Sequence, residues 1–455
     1  MSSLYSKDAA LVQQKRAVNW DFLEPLFRIG VLVFGVVVIA FALKENIFFT
    51  WKATTFTGTR GIILRYLLFF SGLIFVSSLV VRTWLWFRYR PIAFESIPDT
   101  ELPHLTVAVP AYNEGAGIYR SLTSIVNSDY PADRLDIIAI DDGSRDDTWV
   151  HMKRARDRFP GRIRLVKFDR NRGKREGIYH AFHASDSPYF ITVDSDTRLE
   201  PTALKGILAP LILRPEIAAA TGRIRIDNYK ANIFTRMLNA HFAMAFDFTR
   251  AVQTTFTNVL CLSGAFSAYR RSALSKVIDQ WREQTFLNQT CTYGEDRSLT
   301  NHILRGGHGT VYQQNAVCHT MVPEQPGRIL RMLTRWARSN LRESAIFSGF
   351  MFNARRRGNR FLPFFEFSTT MSLILLHFIW FYFFLFSGLI NSSFLFRALS
   401  YTILFGFFYM LYYIRIEGHR DFPYVVFFSL FSAVFMVWIF TVAAFTLTRR
   451  GWSTR

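Results

Sequence analysis

Apolar runs of near-span or span length occupy residues 29–43 and 61–81 near the start of the chain, and 367–390, 394–413 and 423–446 near its end. They bracket one long polar stretch. Inside a bilayer, such runs satisfy their backbone only as helices or closed barrels, and continuous runs of this length point to helices. The ends of the chain are therefore expected to form a helical membrane bundle and the middle a water-soluble domain. Composition agrees: half the residues are hydrophobic, 16% are aromatic and 47 are Phe, more than a soluble enzyme of 455 residues usually carries. The first run reaches span length if 22–27 contribute, and Arg65, near the start of the second, can snorkel to an interface. Residues 344–352 are apolar but short and are followed by Arg355-Arg356-Arg357, which predicts an interfacial helix. The resulting division is a tail at 1–20, two membrane helices at 21–82, a soluble domain at 83–340, interfacial helices at 341–366 and a C-terminal membrane region at 367–455.

Charge sets the orientation. Lys and Arg number 54 against 34 Asp and Glu, a net charge of +20. Much of the excess lies beside the apolar runs: Lys15 and Arg16, then 82–90, 355–360 and 449–455. Basic flanks of this kind mark cytoplasmic loops, so the soluble domain is expected in the cytoplasm of a multi-pass membrane protein, in contact with the lipid bilayer. Three C-terminal crossings would carry the tail outside, whereas Arg449, Arg450 and Arg455 favour inside; one run must then be re-entrant or interfacial. Zinc-finger spacing and RNP-type motifs are absent, so nucleic acid is not the expected partner of this charge. An anionic product is a second use for it. Cys261, Cys291 and Cys318 lack CxxC spacing, which argues against a disulfide framework and fits a reducing compartment. The first 20 residues do not have the pattern of a cleavable signal peptide.

Within the soluble stretch, short apolar strands are predicted at 105–110, 137–140, 163–168 and 190–193, separated by patterns of helical length. Residues 120–126 and 234–256 read as helices. This alternation implies an α/β domain with a mostly parallel sheet.

Three acidic clusters punctuate it: Asp141-Asp142-Gly143-Ser144, Asp194-Ser195-Asp196-Thr197 and Gly294-Glu295-Asp296-Arg297. The first two follow strands, where α/β sheets bind ligands. Tyr112, Asn113 and Glu114 end an earlier strand and, with Asp142, can line a nucleobase and ribose pocket. Gly173 and Lys174 open a helix, whose N-terminus suits a diphosphate. Asp194 and Asp196 point to the same side of an extended chain and offer hard oxygen ligands for Mg2+ or Mn2+. Attack by a hydroxyl on an anomeric carbon needs a positioned base, and Asp296 is the choice, with Glu295 a possible substitute. Arg335 can bind phosphate and Trp336 can stack on a sugar ring. Each of these also has a plain structural reading: a strand-end turn, a solvated basic helix start, an Asx turn, an acidic helix N-terminus or a membrane-surface Trp/Arg pair.

From about Thr106 to Arg455 the chain resembles the processive family-2 glycosyltransferases, and in particular the hyaluronan synthases. The most telling stretch runs from Phe286-Leu287-Asn288-Gln289-Thr290-Cys291 through Thr292-Tyr293-Gly294-Glu295-Asp296-Arg297 to Ser298-Leu299-Thr300-Asn301. Val259-Leu260-Cys261-Leu262-Ser263-Gly264 is similar to their acceptor segment. Trp336-Ala337-Arg338-Ser339 and the tail Trp452-Ser453-Thr454-Arg455 continue the likeness. The resemblance implies a GT-A domain joined to a transmembrane channel, UDP-sugar donors, a growing polysaccharide chain, a divalent cation and inverting transfer. It implies that Tyr112, Glu114 and Asp142 bind uridine, that Lys174 and Arg335 face the diphosphate, and that Asp196 holds the metal with Asp194 beside it. Asp296 would be the base, Cys261 and Trp336 would shape the acceptor pocket with Glu295 adjacent, and Trp452 and Arg455 would pack near the nucleotide.

The sequence departs from the family at Met332-Leu333-Thr334-Arg335-Trp336, where the pattern is Gln-Gln-x-Arg-Trp. It departs again at Ser453, where the family has Gly, and at Glu295, where many members have Asp. These changes bear on the sugar more than on the reaction. The expected activity is polymerisation and export of a polysaccharide, hyaluronan from UDP-GlcNAc and UDP-GlcUA. The alternatives are a chitin-oligosaccharide synthase using UDP-GlcNAc alone, sharing 336–339 and Arg270-Arg271-Ser272-Ala273-Leu274, or a non-catalytic nucleotide-sugar-binding scaffold, against which the full set of carboxylates argues.

Overall fold

The computed structural model describes residues 20–44, 58–95, 97–352, 360–390, 392–418 and 421–449. Its centre is an eight-stranded sheet in the order β3-β2-β1-β4-β7-β6-β10-β5. Strands β1 (Leu105–Ala111), β2 (Leu135–Asp141), β3 (Ile163–Lys167) and β4 (Tyr189–Val193) run parallel to one another. Strand β7 (Phe266–Arg270) is antiparallel to both β4 and β6 (Ile217–Ile226), while β6 is parallel to β10 (Gly309–Thr320). The short β5 (Arg198–Leu199) closes the far edge. A separate hairpin joins β8 (Thr285–Phe286) to β9 (Gln289–Thr290).

Every residue of β1 and β4 is buried, because helices cover both faces of the sheet and leave no solvent side to require a polar alternation. The helix Gly117–Val126 covers one face with Ile118, Leu122, Ile125 and Val126; Ala203–Leu213 is buried along most of its length. Every strand expected from the apolar runs is present. The chain order of the parallel half changes direction between β1 and β4, so a crevice opens there at the strand ends.

Two elements depart from their expected form. The helix expected at 234–256 starts at Asn232, whose side chain accepts N–H groups from Phe234 and Thr235, a cap worth about 1 kcal/mol. It then widens into a π-helical turn at Ala243–Phe248 before closing as Thr249–Thr254. Residues 344–352 do not form their own interfacial helix. Ser344 lies in the last turns of a 23-residue amphipathic helix, Pro326–Ser348, which buries Ile329, Met332, Leu333 and Ala337. The apolar character of 344–352 comes from Phe347, Phe350 and Met351 packing on Leu304 and Phe367.

Among the described residues, four helices are long and apolar enough to cross a membrane: Phe69–Arg88, Phe361–Phe383, Leu399–Glu417 and Pro423–Phe445. The helix Trp20–Lys44 carries a shorter apolar stretch, Arg28–Phe41. The second helix, Gly58–Arg88, continues past residue 82 into the domain. Buried ion pairs tie the bundle together. Arg82 holds Glu366 at 2.8 Å, and Asp421 is shared by Arg28 at 3.0 Å and Arg236 at 2.9 Å. Both ends of Pro423–Phe445 meet the soluble domain. Asp421 precedes the helix and binds Arg236; beyond it, Leu447 O accepts the Tyr293 hydroxyl at 3.1 Å, and Thr446 Oγ1 accepts Arg338 at 2.8 Å. Its first half packs on Ile233–Phe242 and its second half on Pro326–Ser348.

Candidate active site

The ends of β1, β2 and β4 supply one wall. After β1, Asn113 takes a positive φ of 52°, and its turn is laced to the turn after β2. Asn113 N donates to Ser144 Oγ at 3.0 Å, Arg145 N to Asn113 Oδ1 at 2.9 Å, and Asp142 N to Ala111 O at 2.8 Å. Glu114 reaches across the crevice and accepts the Ser195 hydroxyl at 2.8 Å, which joins the β1 and β4 ends. Tyr112, half-buried, stands on the same lip.

Asp142 does something more specific than line a base pocket. Its two oxygens accept the backbone N–H groups of Arg172 and Gly173 at 2.7 and 2.8 Å, so it shapes the loop that leads into the Lys174 helix. Burial pushes its carboxyl above the ordinary range, against the pull of those two N–H groups. Its neighbour Asp141, which the motif alone did not single out, accepts Ser144 N through Oδ1 at 2.9 Å while its buried Oδ2 has no hydrogen-bond partner among the described residues. Buried polar atoms are nearly always hydrogen-bonded, so this oxygen marks a place that a donor group can fill.

Lys174 begins the helix Lys174–His183 and is the hub of the site. Its ammonium bridges Asp194, at the end of β4, and Glu295 Oε1 at 2.9 Å, at the start of the helix Glu295–Arg305. Burial alone would lower its pKa; the charges of Asp194 and Glu295 overcome this and raise it, so the lysine stays protonated. The partners show the reverse. Burial works against ionisation of Glu295, yet Lys174, aided by the charge of Arg335, holds its carboxyl low. Asp296 is raised by burial and by the charge of Glu295, and Lys174 only partly offsets this. Two adjacent carboxylates are thus driven apart, one kept ionised on a lysine and one made the better proton acceptor, an arrangement typical of acid–base sites. Asp296 accepts Gly264 N at 3.2 Å and Arg297 N at 2.7 Å, which fixes its rotamer.

Two glycines permit this convergence. Gly264, on the loop before β7, would place a Cβ 2.5 Å from Lys174 Nζ and 3.7 Å from Asp296 Cβ. Gly294, at φ 71°, would place one 1.9 Å from Ser339 Oγ. Close approach of Gly294 to the helix Pro326–Ser348 brings Asp296 under the helix that carries Arg335 and Trp336. Arg342 on that helix donates to Tyr293 O at 2.6 Å and locks the junction.

On the helix Pro326–Ser348, Trp336 packs against Phe242 at 5.8 Å and Phe246 at 6.2 Å between ring centroids. Cys261 lies within the field of Asp296. Burial, with that charge, pushes its thiol up to about 12, so it is a neutral wall residue and not a nucleophile. Arg250, missed by sequence reasoning, is buried with its guanidinium 4.2 Å over the Phe246 ring, and Nη1 has no hydrogen-bond partner among the described residues. Met332 and Leu333, where the family pattern has glutamines, are packed in the main core.

Asp196 is placed with Asp194 in the turn after β4 and accepts the Thr320 hydroxyl at 3.3 Å. No group of three His, Cys, Asp or Glu side chains able to hold a metal occurs among the described residues. Two hard carboxylates remain as donors. Trp452 and Arg455 lie outside the described residues.

Residues 103–339 match the family described as glycosyltransferase like family 2. Hyaluronan synthase of Streptococcus pyogenes is 35% identical over 280 residues, covering 60% of this chain and 65% of that protein. N-acetylglucosaminyltransferases of Azorhizobium caulinodans and Rhizobium meliloti are 32% identical over 253 residues and 33% over 254, covering 55% and 56% of this chain and 63% and 59% of theirs. The matches therefore span somewhat less than two thirds of these curated relatives. A mannosyltransferase from Pyrobaculum calidifontis, solved in complex with GDP-Man and Mn2+, has the same fold at TM-score 0.54 and 17% identity, over 84% of this chain and 98% of its own.

Proposed function

This chain belongs to the family-2 glycosyltransferases, and we propose that it is a processive, inverting membrane enzyme that polymerises and exports hyaluronan from UDP-GlcNAc and UDP-GlcUA. The observation that carries the reading is the Lys174 hub, which gathers Asp194 from the end of β4 and the adjacent Glu295 and Asp296 from the start of one helix, with Arg335 close enough for its charge to act on Glu295. Asp296 accepts the proton of the acceptor hydroxyl as its oxygen attacks the anomeric carbon from the face opposite the diphosphate. The new C–O bond forms as the bond to the β-phosphate oxygen breaks, and UDP leaves. Lys174 and Arg335 face the charge that develops on the diphosphate. Glu114, Tyr112 and the open oxygen of Asp141 receive the uridine, while Asp142 holds the phosphate loop in shape.

Asp194 and Asp196 fit a hard divalent cation, Mg2+ or Mn2+, as an incomplete oxygen set that diphosphate oxygens would complete. Such an ion supplies positive charge on the leaving group. The mannosyltransferase with the same fold was solved with Mn2+.

Export requires a protein-lined path, for which Trp336 with Phe242 and Phe246 would form the entrance and the membrane helices the walls. The arginine-rich flanks support a cytoplasmic domain.

Relatives of both product classes match, so the sugar rests on Arg250. A buried guanidinium with an open Nη1 beside the acceptor platform suits the carboxylate of a uronic acid and has no counterpart need in a neutral chitin chain. Membranes fed UDP-GlcNAc alone, UDP-GlcUA alone and both together test this. Polymer from the pair only is expected; polymer from UDP-GlcNAc alone would replace hyaluronan by a chitin oligosaccharide.

A further inference from the structure

Asp247 sits in the π-helical turn Ala243–Phe248, and three consecutive side chains there face three different parts of the molecule. Phe246 meets Trp336 and carries the Arg250 guanidinium on its ring. Phe248 packs on Trp86 and Tyr412, from two different membrane helices, at 5.5 and 4.9 Å. Asp247 turns to the sheet, where Arg223 of β6 donates to Oδ2 at 3.0 Å and Tyr312 of β10 donates to Oδ1. All three are buried.

Arg223 does not stop there. Its Nη2 donates to Glu417 at 2.6 Å and to Ile416 O at 3.3 Å, and Arg225 adds a second pair to Glu417 at 3.3 Å. Glu417 ends the membrane helix Ser392–Glu417. A carboxylate at the negative end of a helix dipole is unfavourable by itself, so these arginines are needed to keep it there. On the other side, Tyr312 O accepts the hydroxyl of Tyr89, immediately after the membrane helix Gly58–Arg88, and Gln314 N donates back to that hydroxyl at 3.1 Å. The network thus joins two membrane-helix ends to one turn of the acceptor platform. Single π-helical turns are energetically poor and persist where surrounding contacts hold them.

We propose that Asp247, clamped by Arg223 and Tyr312, is a positioning residue for chain extension: it holds the π-helical turn so that Phe246 and Arg250 meet the acceptor at Trp336 in register with the membrane helices ending at Arg88 and Glu417. This rests on the polymerase reading above. Asp247 touches neither donor nor base, so its influence falls on the acceptor and not on activation of the nucleotide-sugar.

The test uses full-length protein in lipid nanodiscs and compares Asp247→Asn, which keeps shape but loses charge, with Arg223→Lys, which keeps charge. Two rates are measured: hydrolysis of UDP-GlcNAc to UDP and free sugar, and polymer formation with its chain-length distribution. Asp247→Asn is expected to lower polymerisation and mean chain length about tenfold, as small misplacements at a site do. Hydrolysis and UDP affinity should stay within about twofold, and Arg223→Lys, whose single ammonium cannot span Asp247 and Glu417 as the guanidinium fork does, should shorten the polymer in the same sense. Equal losses in hydrolysis and polymerisation, or polymer of normal length from Asp247→Asn, would overturn the assignment. Wild-type protein that hydrolyses UDP-GlcNAc yet forms no polymer would instead remove the polymerase reading beneath it.

Discussion

Strands β1, β2 and β4 end in carboxylates fixed by hydrogen bonds to neighbouring turns, whereas β6, β7 and β10 contribute little chemistry of their own and position what other elements bring. In the parallel half, Glu114, Asp141, Asp142 and Asp194 sit within a few residues of a strand end. In the mixed half, Gly264 arrives on a loop, Asp296 on a helix N-terminus, and Trp336 on a helix that also packs against the membrane-bundle helix Pro423–Phe445. The nucleotide side is built on a rigid scaffold close in sequence to its strands. The other half of the site is assembled from distant segments, which, on the proposed function, suits a surface along which a growing chain moves. Lys174 is where the two halves meet.

Perturbing either half should give distinct signatures. The largest effect is expected at the junction: Asp296→Asn should lower transfer about 10³-fold, the range for loss of a general base, with UDP binding measured by calorimetry unchanged. Asp196→Asn, or removal of divalent ions by a chelator, should lower transfer about 10²-fold and weaken UDP-sugar binding as well, which marks it as a donor-half change. Lys174→Met should leave Glu295 and Asp194 without their shared partner. Breaking a buried pair in this way costs on the order of 3 kcal/mol, to be read as a lowered midpoint of thermal unfolding alongside lost activity. Gly264→Ala should act more mildly, about tenfold on kcat, because a flexible lysine tip can shift away from the new Cβ at the cost of its aim.

The same division governs how much of the molecule could be read from sequence. Buried parallel strands are continuous apolar runs, and their terminal carboxylates follow at once, so the positions of Glu114, Asp142, Asp194 and Asp196 at strand ends were legible. Pairing of Asp194 with Glu295 through Lys174 was not, since it joins residues more than a hundred positions apart. Asp142 was read as a ligand contact, but its oxygens are taken by Arg172 and Gly173 backbone; Asp141, one residue earlier, keeps the open oxygen. Arg250 sits in a helical stretch whose apolar periodicity masks its buried charges, and Asp247 in a π-helical turn that no 3.6-residue pattern announces. The apolarity of 423–446 marks a crossing, and the helix Pro423–Phe445 is among those long and apolar enough to span; its ties to the soluble domain through Asp421, Thr446 and Leu447 are tertiary and leave no local pattern.

Central to the account is an arrangement in which burial, together with the charge of Glu295 held ionised on Lys174, keeps Asp296 a stronger proton acceptor than an ordinary carboxylate. The pH–rate profile of single-turnover transfer tests it in wild-type protein and Glu295→Gln. Transfer requires Asp296 deprotonated, so the wild-type rate should fall, as pH decreases, at a pH above the usual carboxylate range. Glu295→Gln removes a raising charge and releases Lys174 toward Asp296, so the acid limb should move to lower pH. An acid limb at the same pH in both proteins would contradict the account.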